Sequence, residues 1–179
     1  MENNRNKPFY LQGSKNTGKS LIIAGIFLVV LALANPFFLL AAPILIVYGF
    51  IVLKKGKSEL NVFLDEAIEL YEKNQESKCL VKLEKVFELD KDNTKAIIIL
   101  ALIKYDEEEY FETIKLLSSI PKELVNGALD LQLKLADSYL KTEDYKNGEA
   151  LYKELLKLQP KSEFIKKALQ ECSLQHEEA

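Results

Sequence analysis

Apolar and polar positions divide the chain into two unlike parts. No charged residue occurs between residues 21 and 53. A turn dipeptide, Asn35-Pro36, splits this stretch into two apolar runs, 21–34 (LIIAGIFLVVLALA) and 37–53 (FFLLAAPILIVYGFIVL). The pattern predicts two helices folded back on each other as a hairpin over residues 20–54. Past residue 58 the pattern becomes periodic. Leu60, Phe63, Leu64, Ala67, Ile68, Leu70 and Tyr71 recur at steps of three and four, the spacing of one helix face. The same period continues through the rest of the chain, so the predicted class is all-α. Ser162 is the expected N-cap of a last helix over 162–176, whose apolar stripe is Phe164, Ile165, Ala168, Leu169 and Cys172.

Charge follows the same division. Arg5, Lys7, Lys15, Lys19, Lys54, Lys55 and Lys57 stand against Glu2 alone, which puts residues 1–57 at +6. The whole chain carries −3, so residues 58–179 carry −9. As one straight helix the 33 uncharged residues would reach ~50 Å, past the ~30 Å hydrocarbon core of a bilayer. As a hairpin each arm falls slightly short of a full span, Lys19 and Lys54 can snorkel to the surface, and Pro43 permits a kink. Two rivals are a signal peptide cleaved after Ala32-Leu33-Ala34 and a hairpin buried in a soluble protein. The expectation is an integral membrane protein. The basic flanks, a flexible collar over residues 1–19 included, place both termini and the acidic domain on the cytoplasmic side. A single arginine against 23 lysines, with abundant Ile, Asn and Glu, points to an AT-rich bacterial genome and hence the plasma membrane.

Within the acidic part a spacing recurs. Leu135, Ala136, Tyr145, Gly148, Tyr152 and Leu155 map, 35 residues back, onto Leu100, Ala101, Tyr110, Thr113, Leu117 and Ile120. Another 34 residues back, Ala101, Thr113, Leu117 and Ile120 map onto Ala67, Cys79, Leu83 and Val86. Small residues at two of these positions let paired helices approach, and bulky ones fill between neighbours. With Tyr139 three residues after Ala136 and Pro160 near the end, the last copy resembles the tetratricopeptide repeat (TPR) family. Three repeats are expected, at about 60–93, 94–128 and 129–161, closed by the 162–176 helix. Departures occur at Glu66 and Glu76, at Lys91 and Lys104, and at Pro121, where the second copy ends early.

The resemblance implies a TPR-type α-solenoid whose first helices line a concave groove that holds a protein or peptide. Carried over, the groove positions are Asn61, Leu64, Ile68, Tyr71 and Glu72, then Lys95, Ile98, Leu102, Tyr105 and Asp106, then Asp130, Leu133, Asp137, Leu140 and Lys141. The carboxylate clamp of the family's chaperone-tail binders is missing, because Leu64, Ile68 and Asp130 stand at its positions. The groove is instead apolar, suited to an amphipathic helix or an extended apolar peptide. An open alternative is that these residues pack on the capping helix or on each other.

Candidate chemistry is sparse. Gly13-Ser-Lys-Asn-Thr-Gly18-Lys19-Ser20 matches the P-loop pattern letter for letter. That pattern needs a buried strand before it and a parallel sheet around it, and an apolar hairpin follows it instead. One His and two Cys offer no metal or nucleophile constellation. Cys79 sits at a packing position, and Asp106-Glu107-Glu108-Glu109 falls at a turn. Near-neutral charge excludes a basic nucleic-acid binder. The expectation is a non-enzymatic, cytoplasm-facing scaffold anchored by the hairpin, without cofactor, metal, nucleotide or nucleic acid. Alternatives are a membrane-protein assembly or quality-control factor that contacts clients through the hairpin and, more remotely, a P-loop protein.

Overall fold

The structure, a computed structural model, describes residues 7–13, 17–31, 38–54 and 58–178. The two apolar runs form helices α1 (Thr17–Leu31) and α2 (Phe38–Lys54), which pack along each other. Gly25 and Gly49 are buried, and Pro43 lies inside α2. Ile23, Phe27, Val30, Ile44, Val47 and Phe50 are among the side chains that face outward. The Asn35-Pro36 turn lies outside the described residues.

The membrane-spanning expectation is corrected here. Among the described residues no helix is long and apolar enough to cross a membrane. With 15 and 17 residues, α1 and α2 reach ~22 and ~25 Å, against ~30 Å of hydrocarbon. The described helices therefore contradict the integral, plasma-membrane localisation with cytoplasmic termini that apolar composition and flanking charge lead one to expect. Apolar content sets whether a segment avoids water, but helix length sets whether it spans.

The rest of the fold is all-α, and no strand occurs among the described residues. Helices α3 (Glu59–Glu72) and α4 (Glu76–Leu89) pair, as do α5 (Thr94–Asp106) and α6 (Tyr110–Ser119), and α8 (Leu129–Lys141) and α9 (Tyr145–Leu158). A single turn, α7 (Lys122–Asn126), follows Pro121 and inserts Val125 into the core. Helix α10 (Glu163–Glu178) packs on α9, and Ser162 Oγ accepts the Ile165 N–H at its start.

The pairs repeat in detail. Ala67, Ala101 and Ala136 are fully buried, as are Cys79 and Thr113 opposite the first two. Cys79 Sγ donates to the Ala67 carbonyl at 3.2 Å, and Thr113 Oγ1 donates to the Ala101 carbonyl at 3.5 Å. At the third equivalent position Gly148 has no side chain. A Cβ there would lie 3.2 Å from Cys172 Sγ of α10, which fills the space instead. Leu83, Leu117 and Tyr152 fill between helices, each at most 1% exposed. The turns repeat as well. Asn74, Glu108 and Glu143 adopt φ of 54°, 61° and 61°, left-handed values that an L side chain visits at a cost. Each turn closes with the same backbone bond: Gln75 N to Leu70 O, Glu109 N to Lys104 O and Asp144 N to Tyr139 O, at 2.8–2.9 Å.

Candidate functional site

Helices α3, α5 and α8 present one face, and the groove positions inferred from the repeat spacing lie on these helices. The face is not bare. Residues 7–13 lie on it, with Phe9–Leu11 wound as a 3-10 turn. Pro8 precedes the turn with φ near −50°, which a proline ring favours. The Leu11 N–H bonds the Pro8 carbonyl at 3.0 Å, and Gln12 Nε2 donates to the Lys7 carbonyl at 2.8 Å.

Tyr10 is the anchor. It is 2% exposed and belongs to the cluster of Ile98, Ala101, Leu102, Leu117 and Leu131, with Phe9, Leu11 and Tyr71 against it. The Phe9 ring stands edge-on to it at 5.5 Å between centroids. Its hydroxyl donates to the Asp130 carboxylate of α8. Burial, then that acidic partner, push the phenol pKa well above its ordinary value. Two further contacts flank the anchor. Lys7 Nζ pairs with Glu72 of α3 at 2.5 Å, and Lys95 Nζ of α5 donates to the Gln12 carbonyl at 2.5 Å. The backbone of Gly13 passes close to Asp65, whose Oδ1 would be 3.1 Å from a Cβ there.

A second polar group joins α5 to α8. Tyr105 donates to Asp137 at 2.7 Å, and Lys134 Nζ sits 3.9 Å above the Tyr105 ring. Lys134 also approaches Asp106 at 3.5 Å. Burial first, and the Asp137 bond second, raise the Tyr105 phenol pKa. Burial, aided by the charges of Asp106, Glu76 and Asp130, pushes Tyr71 up to about 12. These phenols stay protonated at neutral pH, and those of Tyr10 and Tyr105 donate to carboxylates.

Comparison with protein-family models, with curated proteins and with solved structures finds no match for this chain.

The expected groove residues therefore have different fates. Leu64, Ile68, Ile98 and Leu102 are buried. Tyr71 and Tyr105 are half-buried, while Lys141 is exposed. Leu133 and Leu140 pack against the cluster containing Ile165, Ala168 and Cys172 of the last helix, so the third part of the face is partly structural. Glu72, Lys95 and Asp130 converge on residues 7–13, and Asp137 meets Tyr105 instead. Phe9, Tyr10, Leu11 and Gln12, read with the flexible basic collar, were missed as its occupants. Their one signal was an aromatic-apolar triplet after a proline within a polar segment. Of the basic flank, Lys7 is paired with Glu72 rather than facing outward for a lipid surface. Arg5, Lys15, Lys55 and Lys57 lie outside the described residues, as do the side chains of Lys19 and Lys54. Positions 14–16 of the P-loop-like run also lie outside, and α1 begins at Thr17.

The remaining chemistry-bearing groups are in structural settings. Burial pushes both thiols, Cys79 and Cys172, up to about 11. His176 Nδ1 lies 3.2 Å from Glu149 near the last helix's end. Among the described residues no group of three or more His, Cys, Asp or Glu side chains is placed to hold a metal ion.

Proposed function

We infer that this chain is a TPR-type repeat scaffold that binds a protein or peptide partner on the face of α3, α5 and α8. One observation carries it: that face already holds a short peptide segment, residues 7–13. It does so through a buried aromatic anchor, a carboxylate acceptor for its phenol, and a lysine donor to its backbone. Backbone bonds that supply affinity and side-chain pockets that supply specificity are the means by which peptides are also recognised in trans. The 34- and 35-residue recurrence of small residues, fillers and left-handed turns supports the family assignment. No catalytic step is part of this function.

In-cell crosslinking tests it. A photoreactive residue placed at the exposed Lys141 should trap one discrete partner, and Tyr105→Ala should abolish the crosslink while the chain stays folded. Crosslinks that are absent, or indifferent to Tyr105→Ala, would overturn the scaffold role. Leu102 is unsuitable for this purpose. It is 2% exposed in the core cluster, so a polar replacement would unfold the array rather than report on binding.

A second function is favoured by a separate observation. Ile23, Ile26, Phe27, Ile44, Val47 and Phe50 of the hairpin are exposed, so the hairpin itself can contact apolar client helices. Replacing it by an unrelated apolar hairpin should then abolish client capture, whereas groove binding should survive the exchange.

A further inference from the structure

We propose that residues 7–13 are a displaceable occupant of the α3/α5/α8 face, and that the partner's docking segment carries the same chemistry. It consists of a cationic residue followed, three positions later, by a tyrosine that is preceded by an aromatic. This deepens the scaffold function above and rests on it.

Three features make the occupant displaceable. The segment builds its own turn from the Leu11 N–H to Pro8 O and Gln12 Nε2 to Lys7 O bonds, so a free peptide can adopt it unaided. Its ion pair with Glu72 is partly open to water, with side-chain exposures of 28% and 30%, and such pairs hold weakly. The face also rests on core clusters of its own: Leu83, Val86 and Ile99 below α3, and Tyr152, Leu155 and Ile165 below α8.

The contacts define what a replacement must offer. Lys95 binds a backbone carbonyl, which any sequence supplies. Selectivity comes from the two acids. Glu72 takes the ammonium of Lys7, and Asp130 takes a phenol presented from inside an apolar pocket. A tyrosine fills both the pocket and the acceptor, whereas a phenylalanine fills the pocket and leaves Asp130 without the phenol. A glutamate in place of the cation meets Glu72 and is repelled. The cis segment competes with a trans ligand at an advantage in effective concentration, because it is tethered to the same chain. Intact protein should thus bind trans peptide weakly until the segment is released.

The test uses the purified full chain and a fluorescein-labelled synthetic peptide of residues 7–13, followed by anisotropy. Tyr10→Ala chain should bind the peptide at least about 10-fold more tightly than wild type. Adding Asp130→Ala to that variant, or replacing tyrosine by phenylalanine in the peptide, should reverse the gain. Because Tyr10→Ala removes a buried side chain, thermal melts accompany the titration. If the variant is destabilised, saturating peptide should restore its melting temperature and a scrambled peptide should not. Equal affinity for wild type and Tyr10→Ala, or no binding and no thermal recovery, would overturn the proposal. Failure here together with a Tyr105-dependent crosslink in cells leaves the scaffold function standing. A peptide that binds as described, without any crosslinked partner, instead removes the scaffold function and reduces the segment to an internal brace.

Discussion

Replacing Gly148 by alanine sets two effects of known size against each other. In a helix interior, alanine is favoured over glycine by about 0.8–1 kcal/mol. Against this, a Cβ at Gly148 would stand 3.2 Å from Cys172 Sγ, 3.5 Å from Tyr139 Cβ and 3.6 Å from Leu140 N. The last two belong to the α8 terminus, and the thiol is fully buried on α10, so the thiol or its helix must give by a few tenths of an ångström within a packed core. Overpacking of this kind costs about 1–3 kcal/mol. The expected net loss is about 1 kcal/mol, or a few degrees in melting temperature. The control is Cys172→Ala, which empties the space. In that background Gly148→Ala should stabilise the chain by up to about 1 kcal/mol, giving a coupling near 2 kcal/mol between the two sites. Urea titration of the four full-length chains measures it. If Gly148→Ala stabilises both backgrounds equally, the close approach of α8, α9 and α10 at this glycine is wrong.

Two further outcomes are expected. Because Tyr10 is harder to ionise when seated than when free, its contribution is complete below about pH 10 and lost as pH rises above it. Tyr10→Phe should therefore lose less melting temperature than wild type between about pH 9 and 11, and since Tyr71, Tyr105 and Tyr152 remain in both chains, parallel curves would refute the effect. Cys79 and Cys172 are buried and hard to ionise, so a disulfide reagent at about pH 8 should leave the native chain unmodified and titrate both thiols in guanidinium; rapid native reaction at either would contradict its burial.

What could be read from the sequence was what repeats or persists. A helical period spread over thirteen or fourteen residues survives any single departure, which is why α3, α5 and α8 were legible. The small residues at Ala67, Ala101 and Ala136 were legible because close helix approach leaves few alternatives. The occupant of the face was not. Three residues, Phe9–Leu11, are too few to show a period, and their main acceptor lies 120 positions away. Spacing placed Glu72, Lys95 and Asp130 on the face without revealing that the chain itself fills it. The hairpin misled in a different way. Its composition is that of a spanning segment, but among the described residues its helices cover 15 and 17 residues.

The distance between Tyr10 and Asp130 also has a consequence in time. A ribosome adds about 5–20 residues per second, so the carboxylate that receives Tyr10 is made roughly 6–24 s after it. Glu72 and Lys95 are made earlier, 65 and 83 residues after their counterparts Lys7 and Gln12. The first described residues of the chain are thus among the last to be seated. Until α8 is synthesised, the nascent α3 and α5 are without the carboxylate that completes the site. A ligand present at the ribosome therefore competes with a tethered segment that is not yet seated on Asp130, an advantage that a ligand arriving after synthesis does not have.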